Sequence, residues 1–174
     1  MKKVTNNRDI NLQKLREFLG KRILTQENYY IIGQQYARKQ LADFVRTMKS
    51  VGRNITVGSK RYNEQKRKIL QRVFRDINLL SVVDSIPIDL GYIYVISNPN
   101  FPGMYKIGSA KDAETRLLQY QTYSPYRDYK LELYLLCKDF RTKELNFHKK
   151  YSTEGEWTNL PLKEIKSIIT DLSL

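Results

Sequence analysis

Six side chains in the C-terminal half are candidates for chemistry: Tyr94, Lys106, Arg116, Tyr120, Glu144 and His148. A tyrosine, a lysine, an arginine and a glutamate on one compact unit meet the needs of phosphodiester hydrolysis. That reaction needs a base for the attacking water, a cation facing the developing phosphate charge, and a carboxylate to anchor a metal. Arg116 and Tyr120 stand four residues apart, as do Glu144 and His148. On a helix, such pairs share one face. Each pair alone is ordinary, and Lys106 alone reads as a residue on a solvent-facing strand. With one histidine in the chain and no carboxylate cluster, a two-metal site is under-supplied. One hydrated Mg²⁺ or Mn²⁺ held by one glutamate needs fewer ligands, because magnesium keeps several of its waters.

The elements that must position these residues follow from pattern. Residues 91–97, Gly-Tyr-Ile-Tyr-Val-Ile-Ser, are rich in β-formers, and 104–108 return after the turn signal Asn98-Pro99-Asn100-Phe101-Pro102-Gly103. Strand alternation puts Tyr92 and Tyr94 on one face and Ile93 and Val95 on the other. A helix is expected over 112–121, a third strand over 130–137 and a helix over 140–151. A short extended piece follows at 155–160, and a last helix begins at Pro161 with Ile165, Ile168, Ile169 and Leu172 as its apolar stripe. Ahead of these, Leu12, Leu15, Phe18 and Leu19 mark one helix that stops at Gly20. A second is expected from a Thr25 cap to about Lys49, and a third from a Ser59 cap through Ile69, Val73 and Ile77. Residues 81–90, with Pro87, read as a linker. The expected fold is α+β: a small three-stranded antiparallel sheet flanked by helices (85–174), preceded by an all-helical basic domain (1–84).

Charge separates the two halves. Of the net +13, residues 1–84 carry +12, from 19 Lys and Arg against 7 Asp and Glu, and residues 85–174 carry +1. Such a basic face attracts nucleic-acid phosphates by releasing condensed counterions. The densest basic run holds Lys60, Arg61, Lys66, Lys68 and Arg67, the expected phosphate contacts. No stretch of about 18 apolar residues suggests a membrane span. The charged start, Met1 to Arg8, has no apolar run behind it, so a cytoplasmic location is expected rather than secretion. The lone Cys137 supports neither an internal disulfide nor a zinc framework and reads as a small strand residue.

The hairpin motifs Gly91-Tyr92-Ile93-Tyr94-Val95-Ile96 and Tyr105-Lys106-Ile107-Gly108, followed by Ser109-Ala110-Lys111-Asp112 and Arg116, resemble the GIY-YIG nuclease family. Glu144-Leu145-Asn146-Phe147-His148 and Gly155-Glu156-Trp157 resemble its phage- and virus-associated branch, where Lys often replaces the second motif tyrosine. The resemblance covers about residues 89–160. It implies that Tyr94 is the base or orients the water, and that Lys106 depresses the base's pKa or holds the water. It further implies that Arg116 binds the scissile phosphate and Glu144 the metal. Tyr120 stands where some members have His. His148 touches phosphate or leaving group, or closes the helix face. Glu156 is expected to be structural, Trp157 to be core, and Gly108 to let the backbone pass close to the Arg116 helix.

The expected activity is therefore a metal-dependent DNA endonuclease of restriction, homing or phage-attack type, acting on duplex DNA, with a homodimer or two successive events needed to cut both strands. Two alternatives stand beside it. One is a non-catalytic DNA-binding protein on a decayed nuclease fold. The other is an RNA-directed nuclease, since some of the 13 tyrosines could stack on unpaired bases.

Overall fold

The computed structural model describes residues 7–152 and 154–172, with side chains from Asp9 onward. Most of the charged N-terminal stretch, Met1 to Asn6, thus lies outside the described residues. The chain divides into two compact units, Met1–Ile88 and Asp89–Leu174.

The first unit is helical: α1 (Asn7–Leu19), α2 (Tyr29–Ser50) and α3 (Lys60–Val83). Its core joins Leu12, Leu15 and Leu19 to Ile32 and Tyr36, and to Ile69, Val73, Phe74 and Ile77, all buried. Helices α2 and α3 approach closely at Gly33, where a Cβ would stand 2.7 Å from the Phe74 ring. The expected caps fared differently. Ser59 caps α3, its side chain accepting from the Tyr62 N–H at 3.2 Å. Thr25 does not cap α2, which begins at Tyr29. The Thr25 N–H instead donates to Asn28 Oδ1 at 2.8 Å, and residues 26–28 form a turn before the helix. The expected linker is also shorter than 81–90. Leu80 and Ser81 are buried, and that burial carries α3 on to Val83.

The second unit runs β1 (Leu90–Ser97), β2 (Tyr105–Ala110), α4 (Ala113–Gln121), β3 (Lys130–Lys138), α5 (Phe140–Tyr151), β4 (Trp157–Thr158) and α6 (Leu162–Leu172). The sheet has four antiparallel strands in the order β3-β1-β2-β4, not three. The extra strand pairs Thr158 with Tyr105 and Trp157 with Lys106. A two-residue strand carries no alternation to detect, which is why pattern alone left it as an extended piece.

Strand alternation sorts the sheet into two faces. Ile93, Val95 and Ile107 pack with Phe140 and Phe147 of α5 and with Ile165 and Ile169 of α6. Tyr94 and Ile96 pack on the opposite face with Ala113 of α4. Gly91 lets Phe140 close on the sheet, since a Cβ there would lie 2.9 Å from the ring. Cys137 is buried and unpaired, and burial pushes its thiol up to about 11, as suits a small strand residue.

Candidate active site

Tyr94 and Gly108 are partners across β1 and β2 and share a face. With no side chain at Gly108, the Tyr94 ring lies across β2. A Cβ at Gly108 would meet the phenol oxygen at 2.3 Å. Gly108 therefore makes room for the phenol, not for the Arg116 helix as expected. Tyr94 is only 2% exposed, and its hydroxyl meets that of Tyr120 on α4 at 3.3 Å. Burial pushes the Tyr94 phenol far above the ordinary tyrosine value. The hydrogen bond to Tyr120 and that ring's charge add to the shift, Arg116 opposes it, and Glu144 adds to it. At neutral pH this phenol is protonated.

Lys106 shares the Tyr94 face, partnered with Ile96. Its ammonium is ion-paired with Glu156 and sits 5.4 Å from the centre of the Tyr120 ring and 5.8 Å from that of Trp157. The Tyr94 phenol is raised rather than lowered, and the contact Lys106 makes in this cluster is with the Tyr120 ring. Trp157 is half-buried, wedged between Lys106 and the Phe101 ring, 5.0 Å away. It is a support for this cation rather than the core residue expected.

Glu144 reaches the site from the other face. Helix α5 packs on the Ile107 side of the sheet, which Ser109 shares by alternation, and the Ser109 hydroxyl donates to Glu144 Oε2. One turn later His148 places Nε2 3.7 Å from Glu144 Oε1, while its Nδ1 lies 2.6 Å from Ser152 Oγ. At that distance the two do not hydrogen-bond, and His148 Nε2 is buried without a hydrogen-bond partner. The capping of α4 sets Arg116: Asp112 Oδ1 accepts from the N–H groups of Glu114 and Thr115, both at 3.0 Å, one turn before Arg116 leaves the helix. The Arg116 guanidinium is exposed and donates to Gln119 Oε1 at 2.9 Å.

A shallow groove along this edge is lined by Ser109, Lys111, Arg116, Phe140, Arg141 and Glu144. Lys111 donates to the Leu90 carbonyl at 2.8 Å. Burial, and secondarily Arg141, pulls the Lys111 ammonium down to about 8. Ser109, Lys111 and Arg141 were not singled out from sequence. The facing of Ser109 opposite to Lys106 was the available signal for it, whereas Lys111 and Arg141 lie in irregular or exposed positions that no spacing marks.

Among the described residues no group of three or more His, Cys, Asp and Glu comes together to hold a metal. Glu144, mostly buried at the groove, offers one anionic donor. That donor set fits a hydrated magnesium-like ion, which takes one or two carboxylates and keeps its waters, and does not fit a metal that needs a full protein cage.

In the first unit, Lys60, Arg61, Lys66, Arg67 and Lys68 are all exposed on the opening turns of α3. Helical periodicity places Lys60, Arg61, Arg67 and Lys68 within one arc, with Lys66 on nearly the opposite side. No helix of the described residues is long and apolar enough to cross a membrane.

Residues 91–173 match the model of the T5orf172 domain. That domain is phage-associated and related to the GIY-YIG and HNH nuclease-like families. The match ties this segment to nuclease-like or DNA-binding function. No curated protein and no solved structure matches the chain.

Proposed function

We propose that residues 89–174 form a metal-dependent endonuclease of GIY-YIG type that hydrolyses DNA phosphodiester bonds, with the basic helical unit gripping the duplex. One observation carries the reading. Arg116 and Glu144 line one groove beside the Tyr94–Tyr120 hydroxyl pair, although they come from helices on opposite faces of the sheet.

Arg116 holds the scissile phosphate and faces its growing charge. Glu144, steadied by Ser109, would hold Mg²⁺ or Mn²⁺. Such an ion, when bound, polarises the phosphoryl group and stabilises the departing oxygen. Tyr94 acts as a neutral phenol. Its oxygen accepts the hydrogen bond that aims the attacking water, whose proton passes to solvent as its oxygen bonds to phosphorus and the bond from phosphorus to the departing oxygen breaks; the phenol's own proton points to Tyr120. Lys106 is a positioning residue, its ammonium over the Tyr120 ring helping to hold that ring beside Tyr94. One such site cuts one strand, so a double-strand break takes two protomers on the DNA or two successive events.

The test is cleavage of mixed-sequence plasmid DNA with Mg²⁺, with EDTA, and with Glu144→Ala. Cutting is expected only with the metal. The substitution should lower it by at least about 100-fold, beyond the loss of an outer-shell partner. Tight DNA binding without cutting, across several divalent metals, would replace this reading with a non-catalytic DNA-binding protein.

A further inference from the structure

The loop after α4 carries two tyrosines that the reaction above does not use. Tyr123 and Tyr126 are 80% and 82% exposed, the most exposed large hydrophobic side chains among the described residues. Single exposed rings are common and need no explanation. These two sit on one loop, and that loop is pinned. The Asp128 carboxylate accepts from Ser124 Oγ at 2.7 Å and from the side-chain amides of Asn98 and Asn100 at 2.9 and 3.0 Å. The Ser124 bond is the main cause holding that carboxyl below its usual range. Gln121 clasps Tyr129 from both sides, donating to its carbonyl at 2.6 Å and accepting from its N–H at 3.1 Å. The Arg127 N–H closes the turn on the Ser124 carbonyl at 3.1 Å.

The backbone is thus held while the rings stand in solvent. Tyr123 lines the same depression as Arg116, Gln119 and Tyr120, so the loop continues the surface that would hold the phosphate. Arg127, exposed next to Tyr126, adds a cation. A rigid aromatic loses little conformational freedom on contact, and every nucleobase offers a face on which it can stack.

We propose that Tyr123 and Tyr126 form a stacking platform for an unpaired nucleobase beside the phosphate held by Arg116, so that the preferred substrate is DNA with a branch, gap or other unpaired base. The placement beside Arg116 rests on the nuclease reading; the stacking itself does not require cleavage.

The probe is a DNA duplex with a short single-stranded branch and 2-aminopurine at the first unpaired position, compared with the same duplex fully paired. The full chain is titrated against each in EDTA. Stacking predicts quenched 2-aminopurine fluorescence in the branched DNA and tighter binding of it than of the paired duplex. Tyr123→Leu/Tyr126→Leu should abolish the quench and weaken binding to the branched DNA by about 10-fold or more, leaving the paired duplex unaffected. Tyr123→Phe/Tyr126→Phe should keep both properties. Equal affinity for the two DNAs, no quench, or a quench that survives the leucine pair would overturn the platform. Quenching without any cutting in Mg²⁺ would leave the platform standing and sink the nuclease reading alone.

Discussion

At the scale of single residues, the Tyr94 hydroxyl occupies the space a side chain at Gly108 would need. In Gly108→Ala the new methyl would overlap the phenol, 2.3 Å from its oxygen, and the ring must swing aside. Displacements of about 1 Å at a reacting group can cost about 100-fold in rate. Cleavage should fall by at least that factor in a plasmid assay while circular dichroism stays unchanged; wild-type cleavage in the variant would remove Tyr94 from the chemistry. The six candidate site residues were legible as types and spacings. Their partners were not. Lys106 on β2 meets Glu156 in the turn just ahead of β4, and Ser109 meets Glu144 from β2 to α5. Both are long-range contacts set by tertiary packing, which local periodicity does not contain.

At the scale of elements, α4 carries both Arg116 and Tyr120 and is started by a single carboxylate. Losing an N-cap aspartate costs about 1 kcal/mol, and here the helix concerned is only nine residues long. Asp112→Ala should lower the melting temperature by a few degrees and cut activity more than that loss of stability explains, because Arg116 lies one turn from the freed end. Thermal melts beside cleavage rates at a temperature well below the transition test this. Equal activity there would mean that packing, not the cap, sets Arg116. Helix and strand limits were legible where a cap or an alternation ran long enough, as at Ser59 and along β1. They were not legible at Thr25, where Asn28 claims the backbone amide in a tight turn, nor at β4, whose two residues gain their strand character only by docking on Tyr105 and Lys106.

At the scale of the whole molecule, charge and candidate chemistry are segregated. The first 84 residues hold +12 of the net +13, and the six candidate catalytic residues all lie beyond them. If the opening turns of α3 are the phosphate grip, replacing Lys60, Arg67 and Lys68 with Ala should remove about 2–3 from the slope of log binding constant against log salt on duplex DNA. The slope is measured with EDTA present, so that cutting does not interfere. An unchanged slope would assign the grip to other cations. This segregation of charge was legible from composition because charge is additive along a chain, whereas the groove lined by Lys111, Arg116 and Arg141 depends on how three elements meet.

The phenol lying over a bare backbone couples two positions. Tyr94 and Gly108 face each other across two strands, and neither position tolerates a lone change: a side chain at Gly108 evicts the ring, and a smaller residue at Tyr94 leaves a notch with nothing to fill it. The ring and a side chain at position 108 compete for one volume, so Tyr94→Ala should make Gly108→Ala less costly than it is alone, which thermal melts of the two single variants and the pair would read.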